Sequence, residues 1–301
     1  MRDNRQQNHR CFNRAIIKTA LTSILAFFLI GMFGVSSVFA QKTKKEKSNY
    51  ALPNIDLSHW KVTVPSGDVR DVGPPEILDY ANNEILKPFM YNDSTDASLV
   101  FYAFPDKTTN NSSYSRSELR EQMKPGNNNK NWTFKDGGRM KGTLAVPEVS
   151  KGADGKYHKV IIMQIHGRLS NEQKELLGED DNDAPPILKI YWENKKIKVK
   201  VKELKDLKMS DTEILKKDSW VDDKGFVFDE EVGFGKFDLE VIVSEGKLTV
   251  ILNRKQTVTY KNAHMKRWSV FENYFKAGNY FQSKDKGSYA KVKYYSLEVS
   301  H

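Results

Sequence analysis

The chain has 301 residues and a single cysteine, Cys11. That excludes a disulfide scaffold and a cysteine-based structural zinc site. Glycine and proline number only 18 and 10, too few for a collagen-like or low-complexity chain. Convincing helical periodicity is scarce. At 39% apolar and 29% charged residues, the chain is neither a membrane bundle nor a typical disordered polymer. Acid is the minority charge, with 39 Asp and Glu against 48 Lys and Arg, a formal +9. Such a surface favours an anionic partner, although a merely solvated basic surface reads the same way.

Part of the excess lies at the amino terminus. Arg2, Arg5, Arg10, Arg14 and Lys18 are opposed only by Asp3, and an apolar run follows from Leu21 to Val35. Ser36, Ser37 and the Val38-x-Ala40 ending complete the pattern of a secretory signal peptide over residues 1–40, cut after Ala40. The alternative is an uncleaved anchor, since the run is only a little short of a membrane span. No cysteine follows it, so lipoprotein anchoring has no site. Residues 41–52 are a polar, Lys-rich leader, and residues 53–301 show one composition throughout, as a single domain does. Export without disulfides points to a secreted or periplasmic bacterial protein, and nothing in the sequence asks for more than a monomer.

What the domain does have is alternation. Ile197, Val199 and Val201 alternate with lysines, and Phe237, Leu239, Val241 and Val243 alternate with polar residues. Glu245-Gly246 then turns the chain into Leu248, Val250 and Leu252, which predicts a hairpin with one buried face. Val292–Val299 reads as a last strand. Short helices are expected only at 74–80, where Pro suits a first turn, and at 171–177. Many antiparallel strands in one domain predict an all-β sandwich of the jelly-roll kind.

Three segments break the apolar-in, polar-out pattern. In Ser115–Glu121, alternation puts Arg116, Glu118 and Arg120 on one face. In Lys159–Gly167, an apolar strand suddenly carries Gln164 and His166 on one face. In Tyr274–Gln282, Lys276, Gly278, Tyr280 and Gln282 share one face and Phe275, Ala277 and Phe281 the other. Taken singly, each has a plain explanation: a surface ion-pair ladder, a structural histidine, one more sheet aromatic. Together they offer guanidinium, amide, imidazole and phenol, with a glycine that would let a ligand approach the backbone. That set suits a carboxylate-bearing sugar.

At these residues the chain resembles the family-seven polysaccharide lyases, the alginate lyases. The matching segments are Arg116-Ser117-Glu118-Leu119-Arg120-Glu121, Gln164-Ile165-His166 and Tyr274-Phe275-Lys276-Ala277-Gly278-x-Tyr280-x-Gln282. Residues 55–65 resemble the family's opening strand and residues 185–189 the strand after its histidine loop, so the likeness spans about 55–300. It implies a β-jelly roll with a groove across the concave sheet, and an alginate lyase catalytic domain over residues 53–301. One departure is Phe281, where the family usually has Asn; alternation turns it away from Tyr280, so packing should change and the chemistry should not. The insertion 168–184 is expected to form a loop beside the groove. Its acidic run, residues 178–183, has oxygen ligands of the kind calcium takes, but it lacks the spacing of a known calcium loop, and a solvated loop is expected.

The resemblance implies β-elimination on mannuronate and guluronate, with Arg116, Gln164, His166 and Tyr280 as catalytic residues. Glu118, Arg120, Lys276 and Gln282 would contact substrate. Arg116 and Gln164 would neutralise the uronate carboxylate and so acidify the C5 proton. Tyr280 would serve as base and acid toward mannuronate; toward guluronate His166 would be base and Tyr280 acid. Phenolate at neutral pH needs help, for which Arg120 or Lys276 are candidates. Ile165 is associated in the family with guluronate-containing substrates, and any effect must be indirect, since it points away from Gln164 and His166. The scheme needs no metal and no cofactor, and the partner is alginate or a related acidic polysaccharide. Two rivals remain. A glycoside hydrolase needs two carboxylates flanking the bond, but alternation sends Glu118 and Glu121 to opposite faces. A non-catalytic polysaccharide-binding module would not require His166 and Tyr280.

Overall fold

Alternating sequence becomes two stacked sheets. The structure is a computed structural model, and it describes residues 53–65, 70–108 and 112–301, all within a compact unit of Ser48–His301. The expected signal peptide (1–40) and leader (41–52) lie outside the described residues.

In chain order the strands are β1 (Asn54–Ile55), β2 (Trp60–Val64), β3 (Arg70–Val72), β4 (Met90–Asp93), β5 (Ser98–Ala103) and β6 (Arg116–Glu121). Then come β7 (Trp132–Thr133), β8 (Gly138–Val149), β9 (Val160–Arg168), β10 (Asp183–Glu193), β11 (Lys196–Leu204) and β12 (Trp220–Asp222). The last six are β13 (Phe226–Glu231), β14 (Phe237–Ser244), β15 (Lys247–Leu252), β16 (Gln256–Tyr260), β17 (Glu272–Phe281) and β18 (Ala290–Ser300). One sheet runs β16-β15-β14-β8-β18-β5-β4, with β1 added in parallel to β18. The other runs β12-β11-β10-β9-β17-β6-β2-β3, with β13 also on β11 and β7 on β17. The described helices are short, as expected of a jelly roll.

The expected hairpin forms, with Ser244 paired to Lys247 across a turn in which Gly246 has φ +65°. Ile197, Val199 and Val201 are buried and their lysine neighbours are not. The expected opening strand 55–65 is in fact two strands, β1 and β2, one in each sheet. The 74–80 segment reduces to one 3-10 turn, Glu76–Asp79. The 168–184 insertion is more ordered than a loop: Arg168 ends β9, Asp183 opens β10, and helix α1 (Asn171–Leu177) lies between them. A reciprocal Ser170–Gln173 capping box starts α1, and left-handed Gly178 ends it.

Between the sheets lies an apolar core that includes Trp60, Trp132, Trp192, Trp268 and Phe275. Phe281 joins it, fully buried and edge-on to His158 at 5.6 Å, so the departure from the family pattern is absorbed by packing. Glu121 also points inward and accepts hydrogen bonds from Trp132 Nε1 (3.0 Å) and the Phe275 amide (2.9 Å). Full satisfaction is what permits a carboxylate there. The three unusual segments become the adjacent central strands β9, β17 and β6, and their groove-side residues share one outer face.

Candidate active site

Strand register assembles the site. Across β17 and β6, Tyr280 pairs with Arg116, Gly278 with Glu118 and Lys276 with Arg120. Across β17 and β9, Lys276 pairs with Gln164 and Tyr274 with His166. Residues paired in this way stand on the same face. The result is a cavity of about 220 Å³ lined by Arg116, Gln164, His166, Tyr280 and Gln282, with Tyr114, Lys189 and Tyr191 on its walls. All four expected catalytic residues are therefore brought together.

Alternation alone does not produce this arrangement in β9. Gln164 and His166 face the cavity, but so does Ile161, while Ile162 lies in the core. The phase inverts because the register shifts between Ile190 and Tyr191 on one side and between Ala277 and Tyr280 on the other. Gly278 sits in that irregularity with φ +135°. A Cβ there would fall 2.7 Å from the Ser117 carbonyl oxygen. Its glycine therefore serves the close approach of β6, not the approach of a ligand as the sequence suggested.

Glu118, Arg120 and Lys276 differ from their expected substrate-binding role. None lines the cavity. Glu118 is fully buried and accepts from Arg116 Nη1 at 3.0 Å, Gln164 Nε2 at 2.6 Å and Lys276 Nζ at 2.6 Å. Burial opposes its ionised form, but the Lys276 and Arg116 charges prevail and hold its carboxyl below the ordinary range. Glu118 thus anchors the Arg116 and Gln164 side chains. Burial pushes the Lys276 ammonium down to about 8, with Arg116 adding repulsion. Arg120 donates to the carbonyl oxygens of Glu121 (2.7 Å) and Asn128 (3.0 Å), and its guanidinium lies 4.1 Å over the Tyr274 ring. Gln282 stays at the cavity and donates to the Tyr280 carbonyl at 3.2 Å.

The two proton-transfer candidates sit in opposite electrostatic settings. His166 Nδ1 lies 3.0 Å from the Gly167 carbonyl oxygen. A carbonyl can only accept, so Nδ1 carries the proton and Nε2 keeps its lone pair. Burial, with Lys276 and Arg116 adding repulsion, lowers the imidazole to about 4, against the pull of Asp183. The ring stacks on Tyr274 at 5.3 Å, and Asp183 Oδ1 stands 3.9 Å from Nε2. Tyr280 is raised above its ordinary value by burial, which outweighs the Arg116 guanidinium 3.9 Å over its ring. Arg116, not Arg120 or Lys276, is therefore the cation beside the phenol, and it does not make a phenolate at neutral pH. The site thus offers a neutral imidazole base and a protonated phenol acid.

Sequence reasoning missed Tyr274, Asp183, Lys189 and Tyr191. Counting back two residues from Lys276 would have placed Tyr274 on the groove face. The other three reach the site through the pairing of β10 with β9, which leaves no local signal. Asp183 is also held 2.8 Å from Lys217, and among the described residues no group of three or more His, Cys, Asp or Glu is placed to hold a metal ion.

Residues 55–301 match the family model described as alginate lyase. Alginate lyase A1-II′, solved at 1.0 Å, is 30% identical over 82% of this chain and 96% of its own, with a TM-score of 0.65. A variant of A1-II′ in complex with product (GGG) is 29% identical over 82% and 97%, with a TM-score of 0.67. Alginate lyase PA1167 from Pseudomonas aeruginosa, 21% identical over 82% and 99% with a TM-score of 0.61, shares the fold. No curated protein matches. Family match, jelly roll and acid–base cleft define a polysaccharide lyase. The chain belongs to polysaccharide lyase family seven, the alginate lyases.

Proposed function

We propose that the protein is exported after cleavage of residues 1–40 and works as a monomer, cutting the 1,4-glycosidic bonds of alginate by β-elimination. The observation that carries the mechanism is the pairing of a neutral His166 with a protonated Tyr280 in one cavity. Arg116, with Gln164, would take the uronate carboxylate and stabilise the charge that develops when C5 loses its proton. The C5 proton passes to His166 Nε2, the C4–O4 bond breaks as the C4–C5 double bond forms, and Tyr280 protonates the departing O4. Asp183 would steady the imidazolium so formed. Gln282 would hold a sugar at the rim.

These protonation states favour guluronate, for which the resemblance implies an imidazole base, and His166 is ready as one at neutral pH. Mannuronate would need Tyr280 as base, hence as phenolate, and burial opposes that. The hydrolase reading loses support from Glu118 and Glu121: one is a buried anchor and the other lies in the core. The test is to mix pure protein with polyguluronate, polymannuronate and alternating blocks and follow ultraviolet absorbance of unsaturated uronate. Faster growth on polyguluronate is expected. Reducing ends without the unsaturated chromophore would mean hydrolysis and overturn the proposal.

A further inference from the structure

Charged groups reach His166 from every neighbouring strand. From β6 and β17 come Arg116 and Lys276, both held on Glu118. Two residues along β9, Arg168 is tied to Glu272 at 2.6 Å. On β10, Lys189 is tied to Asp222 at 2.6 Å. Asp183, also on β10, is the acid at the working nitrogen. Its Oδ1 stands 3.9 Å from His166 Nε2, beyond the roughly 3.2 Å limit of an N–H···O hydrogen bond. Its other oxygen, Oδ2, is taken by Lys217 Nζ at 2.8 Å.

Lys217 reaches Asp183 from a fixed piece of backbone. It opens the 3-10 turn Lys217–Ser219, which leads into β12. Ile214 and Leu215, just before it, are buried. Ser219 Oγ donates to the Glu213 carbonyl at 2.7 Å, and Trp220 Nε1 donates to the Ile214 carbonyl at 2.7 Å. Burial works against the Lys217 charge, but the hydrogen bond and charge of Asp183 prevail, with Asp181 and Glu179 adding, and its ammonium is raised above the ordinary range. With the lysine side chain 46% exposed, such an ion pair contributes little to folding. What it does change is the setting of Nε2. The ammonium on the far side of the carboxylate opposes its pull and fixes Oδ1 at a non-bonding distance.

We propose that Lys217 is a positioning residue for the general base: by holding Asp183, it keeps the carboxylate from closing onto His166 Nε2 and leaves that lone pair free. This rests on the alginate lyase reading, in which Nε2 takes the C5 proton. Released from Lys217, Asp183 would swing to accept a hydrogen bond from Nε2–H, which favours imidazolium. The base would then start each turnover protonated over a wider pH range, and the proton taken from C5 would be harder to pass to water. Lys217 therefore keeps Asp183 near enough to steady the imidazolium and too far to retain it.

The test is Lys217→Met, which keeps the stem and removes the charge, with Lys217→Arg, which keeps a cation there, as control. The His166 imidazole is titrated by NMR in protein free of polymer, its signal being the one lost in His166→Asn. In Lys217→Met the midpoint should rise by about one pH unit above wild type. The acid limb of kcat on polyguluronate should rise with it, while kcat at pH 8, where the imidazole is neutral in both, stays within about twofold. Lys217→Arg should titrate as wild type does. In an Asp183→Asn background, Lys217→Met should move the midpoint no further, because the carboxylate it restrains is gone. If wild-type protein leaves alginate uncut, the lyase reading fails, and the titration still decides whether Lys217 restrains Asp183. A Lys217→Met midpoint equal to or below that of wild type would overturn the proposal. So would an equal rise in Lys217→Arg, a rise that persists in Asp183→Asn, or a midpoint that moves without the acid limb.

Discussion

Glu118 Oε2 lies 2.6 Å from Lys276 Nζ, on neighbouring strands beneath the cavity. The pair is buried, and the same carboxylate holds Arg116 and Gln164. Glu118→Gln would leave the buried Lys276 and the half-buried Arg116 without their counter-charge. Loss of about 3–5 kcal/mol of stability is expected, read by urea unfolding. The pH sign follows from the depressed carboxyl. Its stabilisation is present above the ordinary value of 4.5 and is lost as pH falls through the lower folded value. A Gln variant whose stability matches wild type at pH 7 would show that the anchor is dispensable.

Tyr280→Phe removes a hydroxyl and keeps the ring beneath Arg116. A general acid typically contributes ~10²–10⁴-fold, so kcat should fall in that range on every block type while the melting temperature barely moves. Retention of more than about a tenth of wild-type kcat would refute the acid role, because that loss is smaller than any typical contribution.

His166→Asn should cost guluronate blocks more than mannuronate blocks, since only the former use the imidazole as base. In wild type the imidazole is lowered to about 4, so the base form persists at mildly acidic pH. Activity on polyguluronate should decline only as pH approaches that value. An acid limb near the ordinary 6.5 would contradict the buried neutral histidine.

Mannuronate turnover should have the opposite pH signature. Tyr280 is raised above 10, so its phenolate is rare at pH 7 and grows about tenfold per pH unit below that pKa. The mannuronate-to-guluronate rate ratio, measured from pH 6 to 9, should rise steadily. A flat ratio would remove the phenolate from the mannuronate step.

Gly278→Ala probes the backbone beneath the site. The new methyl would meet Ser117 O at 2.7 Å from a backbone at φ +135°. Destabilisation of about 2–3 kcal/mol is expected, since both strain and contact oppose the change. Thermal unfolding checks it, and an unchanged melting temperature would mean that β6 and β17 can part without cost.

The sequence by itself determined the strands and which residues face the groove on β6 and β17, because a period of two is local and needs no partner. Arg116, Gln164, His166 and Tyr280 were legible for the same reason: polar side chains on faces that should have been uniform. Tertiary structure decided depth and neighbourhood. Alternation says that Glu118, Arg120 and Lys276 face the groove side, but only strands packed 4.7–4.9 Å apart make them a buried layer that pair with one another or with backbone carbonyls. The irregularity near Ile161 resets the phase of β9 where sequence counting assumes it continues. Asp183, Lys189 and Tyr191 joined the site through the pairing of β10 with β9. A strand's own sequence fixes its two faces, whereas its partners and its burial are set by where the rest of the chain comes to lie.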